Sequence, residues 1–231
     1  MDKAPLLEVE DLRFRYPDGT EALAGVDVRL QKGETVALLG PNGAGKTTFL
    51  HLLVGLLSGR QGSIQIGGQP VDNANIAFAR SQIGLLFQDS NDQLFMPTVA
   101  EDVAFGLANA GCDEREVRRR VLQALADVGL AGLGERPPHR LSAGQKRLAA
   151  LAGVLAMEPK IILLDEPATF LDPPARAHLI ETLRALPQAK IVVTHDISLA
   201  RALAQRAVFF EHGRLVAEGS VDDVVQARSW R

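Results

Sequence analysis

The stretch GPNGAGKT, from Gly40 to Thr47, constrains this chain more than any other feature. It follows a continuous apolar run, ETVALLG, which is typical of a buried parallel strand, and it precedes a helical pattern from Thr47 to Leu57. A glycine-rich turn between a buried strand and a helix lets backbone N–H groups surround a phosphate. The sequence therefore predicts a nucleotide-phosphate site within an α/β fold.

This phosphate-binding segment supplies most of the predicted ligand contacts. Lys46 is expected to reach the β- and γ-phosphate oxygens, and the Thr47 hydroxyl is expected to be a ligand of Mg²⁺. The nucleotide-binding residues predicted here are Gly40, Pro41, Asn42, Gly43, Ala44, Gly45, Lys46, Thr47 and Thr48.

A second apolar run, IILLDEP, ends in two adjacent carboxylates, Asp165 and Glu166. Adjacent side chains at the end of a strand point in different directions, so the two acids can serve different purposes. We expect Asp165 to face the metal, directly or through water, and Glu166 to polarise the attacking water as general base.

Composition excludes several classes of protein. The chain has 231 residues, of which 46% are hydrophobic, enough for one large α/β domain or two small ones. With 25 basic and 28 acidic residues the net charge is −3, which offers no global basic surface for nucleic acid or anionic lipid. A single cysteine, Cys112, excludes an internal disulfide framework.

Targeting signals and membrane spans are absent from the sequence pattern. The N-terminal residues have no long apolar run and cannot serve as a secretory signal, so the protein is expected to stay inside the cell. The longest apolar-rich segment, Leu148 to Met157, is shorter than the roughly 20 residues that a spanning helix needs. If the protein works at a membrane, another component must anchor it.

Periodicity predicts the remaining elements. Alternating apolar residues on both sides of YPDGT indicate two antiparallel strands, and RAVFFEHGRLVAEG is typical of a closing hairpin. One helix is predicted from the Asp113 cap, paired with Glu116, to Gly129, and another after Ser142. We interpret the chain as a single domain whose core spans about 1–88 and 157–231, with a helical insertion at about 89–156.

The segment LSAGQ, from Leu141 to Gln145, places small residues at the start of that second helix. Such a start leaves backbone N–H groups uncovered and forms an anion site with the helix dipole. An ordinary serine cap at Ser142 is the alternative, and the segment taken alone favours that cap.

Together these motifs resemble the nucleotide-binding subunit of ATP-binding cassette (ABC) transporters over nearly the whole chain. The resemblance implies a P-loop NTPase (RecA-like) α/β core with an N-terminal antiparallel β subdomain and an α-helical signature subdomain. It also implies ATP and Mg²⁺ as ligands. The segment LSAGQ resembles the signature motif of the family, and we call it the signature segment. In this family two domains pair head to tail, so Ser142, Gly144 and Gln145 would bind the γ-phosphate held by the other copy.

The resemblance assigns further residues one by one. Tyr16, in FRYPDG, would stack on adenine, and Gln88, ending IGLLFQ, would contact Mg²⁺ and water. Asp172, in FLDP, would communicate across the dimer. His195, ending IVVTHD, would contact the γ-phosphate and hold Glu166 and water in place.

Two departures from the family pattern remove no catalytic group. Ala143 replaces the first glycine of the usual signature pair, and a methyl group is acceptable there if φ is negative, although it weakens a trans contact if it intrudes. The sequence DEPATFLDP also differs from the sequence that is usual for this loop in the family. We therefore predict an active ATPase.

Within the family, FQDSNDQLFMPTVAEDVAFG, RPPHRLSAGQKR and AGVLAMEP are most similar to the A components of energy-coupling factor (ECF) transporters, which include cobalt, nickel and biotin importers. The resemblance implies a second ATPase subunit, with a head-to-tail homodimer expected, a transmembrane T component and a substrate-binding S component, at the cytoplasmic face of the membrane. Gln93, Leu94 and Phe95 would lie near the T component; alternatively, this loop packs on its own domain.

Two other functions compete with transport. A soluble ABC ATPase acting on nucleic acid or ribosomes usually has two cassettes, a long coiled-coil insertion or basic surfaces, and the sequence has none of these. A regulator that binds ATP without pumping fits poorly with Gln88, Glu166 and His195 together. Nucleic acid is therefore not an expected partner, and the transported substrate is not encoded in this chain.

Overall fold

The computed structural model describes residues 4–72 and 74–230. Its strands are β1 Leu7–Arg15, β2 Glu21–Leu30, β3 Thr35–Leu39, β4 Gln61–Ile66, β5 Gln69–Pro70, β6 Ile83–Leu86, β7 Ile161–Asp165, β8 Ala189–Val193, β9 Arg206–Glu211 and β10 Arg214–Gly219. Its α-helices are α1 Lys46–Leu53, α2 Ile76–Gln82, α3 Val99–Asn109, α4 Glu114–Asp127, α5 Ala143–Ala156, α6 Pro173–Ala185, α7 Ile197–Leu203 and α8 Val221–Ala227. Short 3₁₀ helices lie at Ser90–Asp92 and Pro138–Arg140.

The chain divides into two compact units. The first contains the residues up to Leu85, Lys160–Asp165 and the residues from Pro187 onward, and the second contains Leu86–Pro159 and Glu166–Leu186. Residues 166–186 join the second unit because α6 packs against α5 there. The division at about 89 and 156 that the sequence suggested concerns functional subdomains, and it stays a prediction.

An antiparallel sheet with the order β2-β1-β4-β5 forms one layer of the first unit. In β1 the buried residues Leu7 and Val9 alternate with more exposed ones, and the register shifts after Val9. The YPDGT turn closes through hydrogen bonds from the Tyr16 N–H to the Thr20 carbonyl and from the Gly19 N–H to the Tyr16 carbonyl. The predicted antiparallel hairpin is confirmed.

A six-stranded sheet with the order β10-β9-β3-β8-β7-β6 forms the second layer of the first unit. Strands β9, β3, β8 and β7 run parallel, and β10 pairs antiparallel with β9 as the predicted closing hairpin. Every residue of β3, β7 and β8 is buried, as their unbroken apolar runs predicted. The carboxyl ends of these parallel strands meet at one edge, which is where chemistry gathers in such sheets.

Helices cover both faces of the six-stranded sheet. On one face Phe49 of α1 packs edge-on against Phe210 of β9, with ring centroids 5.5 Å apart. On the other, Ala200 of α7 and Val224 of α8 share a buried cluster with Phe209. The parallel strands are therefore buried on both sides, and the α/β fold class predicted from the sequence is confirmed.

The second unit is built from helices α3, α4, α5 and α6 around the apolar face of α5. Helix α4 begins at the predicted Asp113 cap, which accepts from the Glu116 N–H, and Gly129 follows its end with φ at 73°. The Glu116 carboxylate does not complete a capping box, because it accepts hydrogen bonds from Arg119 and Arg120 instead. These bonds lower the pKa of Glu116 to about 2.

None of the helices in the described ranges has both the length and the apolar character needed to cross a lipid bilayer.

Candidate active site

The phosphate-binding segment lies between the end of β3 and the first turn of α1. The Lys46 side chain turns back into the loop, and its Nζ donates hydrogen bonds to the carbonyl oxygens of Gly40 and Pro41 at 2.7 and 2.8 Å. Lys46 is only 7% exposed, so its ammonium group is held inside the loop. Within the described part of the chain no side chain caps α1, which suits a helix start that binds an anion.

Gly45 is required by the geometry of this loop. Its φ of 100° lies in the left-handed region, where a residue with a Cβ is strained. A Cβ at this position would also lie 2.4 Å from the Ala22 carbonyl oxygen. The close passage of the loop over β2 therefore depends on glycine.

The two predicted metal ligands of the first unit are in contact. The Thr47 hydroxyl donates to the Asp165 carboxylate, with 2.9 Å between Oγ1 and Oδ2, because β3 and β7 end at the same edge of the sheet. Asp165 is 6% exposed. A hydroxyl oxygen and a carboxylate are hard oxygen donors of the kind Mg²⁺ prefers, so these residues fit the ion.

Tyr16 lies beside the same loop. Its hydroxyl is 3.0 Å from the Thr48 hydroxyl, within hydrogen-bond distance, and its ring packs edge-on against Phe14. Tyr16 is half-buried rather than fully enclosed. The contact fixes the tip of the phenol at the first turn of α1.

His195 follows β8, the strand between β3 and β7. The residues on either side of it are well anchored: Thr194 is 1% exposed, and Asp196 caps α7 by accepting from the Leu199 N–H. The His195 side chain itself is exposed. The loop therefore presents the imidazole at the carboxyl edge of the sheet from a rigid base.

Glu166 begins the last stretch of the second unit and has an unusual backbone. Its φ is 45°, a left-handed conformation that costs about 1–3 kcal/mol for a residue with a side chain and is common at functional sites. Its carbonyl accepts hydrogen bonds from the Thr169 N–H and from Arg147. The strained backbone is therefore held in place by its neighbours.

Arg147 is a residue that the sequence analysis missed. It lies in α5, is 2% exposed, and donates to the carbonyl oxygens of Phe87, Gln88 and Glu166. Two predicted catalytic residues of the second unit, Gln88 and Glu166, are thus joined through one guanidinium group. The sequence gives no clear signal for this role, because Arg147 directly follows Gln145 and Lys146 and looks like part of a polar first turn of α5.

The signature residues form a complete capping box at the start of α5. Ser142 Oγ accepts from the Gln145 N–H at 3.2 Å, and Gln145 Oε1 accepts from the Ser142 N–H at 3.0 Å. The serine cap, considered as an alternative from the sequence, is therefore present. Ala143 lies in the helix and its methyl group is accommodated without a positive φ.

Gly144 lies close to helix α6 of the second unit, with no room for a side chain. A Cβ at this position would lie 2.6 Å from the Ala175 Cβ of α6. Asp172 caps α6 by accepting from the Ala175 N–H at 2.8 Å, and Pro173 and Pro174 follow in the first turn. The glycine of the signature segment thus has a packing requirement, and Asp172 has a structural role in addition to any functional one.

In the segment predicted to lie near a membrane partner, residues 93–95, some side chains pack on their own unit and others are exposed. Gln93 packs on its own unit, with its Oε1 accepting from the Phe87 N–H at 3.3 Å, and Leu94 is partly buried. Phe95 is 61% exposed and packs edge-on against Phe105, which is 43% exposed. Gln88 is also exposed.

A cavity of about 240 Å³ lies beneath this aromatic pair and is lined in part by Gln93 and Asp102. Asp102 Oδ1 accepts from the N–H groups of Phe95 and Met96, both at 2.9 Å. Its buried Oδ2 has no hydrogen-bond partner among the described residues, and burial raises the pKa of Asp102. The cavity is therefore lined by apolar and polar side chains together, and Asp102 contributes a carboxylate to it.

A family model described as ABC transporter matches residues 23–169, more than half of the chain. This stretch contains the phosphate-binding segment, the signature segment and both acids. The chain belongs to the ABC transporter family. The resemblance inferred from its motifs is confirmed.

Three known proteins are similar over nearly the full length of this ABC ATPase. The energy-coupling factor transporter ATP-binding protein EcfA of Methanocaldococcus jannaschii is 44% identical, over 95% of this chain and 80% of its own. CbiO1 of Clostridium perfringens, described as part of the ABC transporter complex cbiONQ, has a TM-score of 0.88 at 37% identity, over 98% of this chain and 92% of its own.

The third is the ATP-binding cassette MJ0796, solved as a dimer in a post-hydrolysis state bound to ADP and Pi. It has a TM-score of 0.82 at 28% identity and covers 93% of this chain and 98% of its own. With the family match, these similarities identify the chain as an ATPase subunit.

Proposed function

We propose that this ATPase energises an ECF-type importer for a transition-metal ion, cobalt or nickel, or for a vitamin such as biotin. The observation that carries the proposal is the similarity to EcfA and to CbiO1, which extends over 95% and 98% of this chain. In this proposal the subunit lies peripherally at the cytoplasmic face of the membrane. A T component links it to the membrane, and an S component binds the cargo.

In the proposed chemistry the first unit binds the nucleotide. Residues 40–48 surround the phosphates, and Lys46, already turned into the loop, exchanges its two carbonyl contacts for β- and γ-phosphate oxygens. Tyr16 stacks on adenine, and His195 contacts the γ-phosphate. Thr47 and Asp165 would hold Mg²⁺, which would neutralise negative charge on the phosphates.

The remaining catalytic groups come from the second unit. Glu166 accepts the proton of the attacking water as general base, and Gln88 orients that water and contacts the metal. Ser142, the Gly144 amide and Gln145 contact the γ-phosphate bound by a second copy, and Asp172 lies near the same dimer contact. MJ0796 supports this pairing, since a similar cassette is dimeric with ADP and Pi bound.

The surface formed by Phe95 and Phe105 is the proposed docking site of the T component. Two large aromatic side chains, 61% and 43% exposed above a cavity, are costly to leave in water and typical of a protein interface. Gln93 is partly buried against its own unit and lines the same cavity.

The test is to express the tagged chain in its native host, extract the membranes in mild detergent and identify the co-purifying proteins by mass spectrometry. We expect a T component and an S component, and the S component then identifies the cargo. A double variant, Phe95→Ser with Phe105→Ser, should lose both, because the docking surface no longer gains from burial.

The matched control is Leu122→Ser, since Leu122 of α4 is also in the second unit and is 64% exposed. This variant should keep both components. Recovery of ribosomal proteins or nucleic acid in place of membrane proteins would refute the transporter proposal and favour the soluble ABC ATPase instead.

A further inference from the structure

Arg147 connects two separate segments of the second unit. Its Nη1 donates to the Phe87 carbonyl oxygen, and its Nη2 donates to the carbonyl oxygens of Gln88 and Glu166 at 2.7 and 3.1 Å. The first two acceptors follow β6, and the third follows β7. One side chain on α5 therefore holds the backbone of both segments that carry the proposed catalytic residues.

The choice of arginine suits this task. A guanidinium group has five N–H donors in a rigid planar fork and stays charged, so it satisfies several acceptors at once. A buried charge is expensive unless it is hydrogen-bonded, and Arg147 is 2% exposed. Lysine carries all its N–H donors on one nitrogen, and glutamine has only two donors. Neither side chain therefore matches the planar fork that reaches these three acceptors.

The backbone of Glu166 indicates what these contacts do. A φ of 45° is uncommon for a residue with a side chain and persists only where the surroundings enforce it. The Arg147 contact to the Glu166 carbonyl is one of those that enforce it, with the Thr169 N–H at 3.2 Å as another. Rotation of this peptide toward an ordinary φ would redirect the carboxylate.

We infer that Arg147 is a positioning residue for ATP hydrolysis, which fixes Gln88 and Glu166 relative to each other without contacting the nucleotide. The inference rests on the proposed roles of Gln88 and Glu166. Helix α5 would then have two functions. Its N-cap Ser142 belongs to the signature segment, and Arg147, five residues later, positions Gln88 and Glu166.

The experiment compares Arg147→Gln and Arg147→Lys in steady-state ATP hydrolysis. Misplacement of a catalytic group by about 1 Å can cost about 100-fold in rate, so we expect kcat to fall by about 10- to 100-fold in Arg147→Gln. KM for ATP should stay within about threefold, because the phosphate-binding segment is unchanged. Arg147→Lys keeps the charge and part of the contacts, so its kcat should lie between those of Arg147→Gln and the parent.

A double-mutant cycle separates positioning from mere structural support. If Arg147 acts through Gln88, the losses in kcat caused by Arg147→Gln and Gln88→Ala will combine less than multiplicatively. The control is Arg120→Gln, which removes another arginine of the second unit, one paired with Glu116 and Glu158. Its kcat should match the parent.

The inference is overturned if both Arg147 variants keep the parental kcat per molecule of bound ATP and only their thermal unfolding changes, or if the cycle is multiplicative. Should Arg147→Gln fail to fold, Arg147→Lys takes its place in the same cycle. The proposed function is tested separately by Glu166→Gln. If that variant is inactive while both Arg147 variants are fully active, only the positioning inference fails.

Discussion

Two helix N-termini in this ATPase are proposed to bind phosphate, and they are prepared for it in opposite ways. Helix α1 starts after Gly45, at a φ of 100°, and no side chain among the described residues caps it. Helix α5 starts after Ser142, and Ser142 and Gln145 cap each other's backbone N–H groups. The first start has no side-chain cap, whereas side chains already accept hydrogen bonds from two backbone N–H groups of the second.

This difference teaches what each start can do alone. Uncapped amides and the positive end of a helix dipole favour an anion strongly, so α1 is suited to hold the phosphate that its own chain binds. A capped start is stable without a ligand, and its phosphate contact must compete with hydrogen bonds that already exist. A capped signature segment suits a phosphate that is presented by a second copy and later released.

The largest expected effect comes from Glu166→Gln. Because this variant does not hydrolyse ATP, the nucleotide should stay bound at the start of α1 in one copy and in contact with the start of α5 in the second copy. Loss of a general base lowers kcat by about 10²- to 10⁴-fold, while ATP still binds at α1. We expect this variant to form a stable ATP-dependent dimer, measured by sedimentation with and without ATP. Parental turnover in Glu166→Gln would refute the proposed base.

Lys46→Ala added to Glu166→Gln is the control for that dimer. Because Lys46 is held inside the phosphate-binding segment, its loss should prevent ATP binding at α1 and with it the dimer. A dimer that persists without Lys46 would mean that pairing does not depend on phosphate at either start.

Gly144→Ala is expected to have a smaller effect, through packing rather than through phosphate. The new methyl group would lie 2.6 Å from the Ala175 Cβ, and overpacking of this kind costs about 1–3 kcal/mol of unfolding free energy. Adding Ala175→Gly removes the opposing methyl group. Both stability and ATP turnover should then recover, apart from about 1 kcal/mol for a glycine in α6.

Thermal unfolding and ATP hydrolysis of the single and double variants decide the point. If the double variant regains stability but remains inactive, the glycine is needed at the phosphate surface itself. The two starts would then resemble each other more than their capping suggests.

The fold and the phosphate site were predictable because their signals are local. The buried strand, the glycines and Lys46 of the phosphate-binding segment are consecutive, and apolar runs without alternation are enough to identify parallel strands such as β7 and β8. The contact between Thr47 and Asp165 was predictable too, since each follows or ends such a strand at the same sheet edge.

The role of Arg147 and the packing of Gly144 were not predictable, because their partners are distant in sequence. Arg147 contacts Phe87, which lies 60 residues earlier, and the methyl group that Gly144 excludes belongs to α6. A similar failure occurs within one helix. The spacing of Glu116 from Asp113 predicted a capping box, but the Glu116 carboxylate instead accepts hydrogen bonds from Arg119 and Arg120, one turn further along.

The smallest effect expected, and the most direct comparison, is Ser142→Ala against Thr98→Ala. Thr98 caps α3 through the same kind of capping box, with Glu101 as its partner, and α3 is also in the second unit. Each substitution should lower the unfolding free energy by about 1 kcal/mol, measured by urea denaturation. Because a hydrogen bond to a charged group contributes about 1.5–3 kcal/mol, only Ser142→Ala should also lower ATP turnover, by about tenfold or more. Equal turnover in the two variants would mean that Ser142 is a helix cap and nothing else, and the phosphate contact at α5 would then have to come from the Gly144 amide and Gln145.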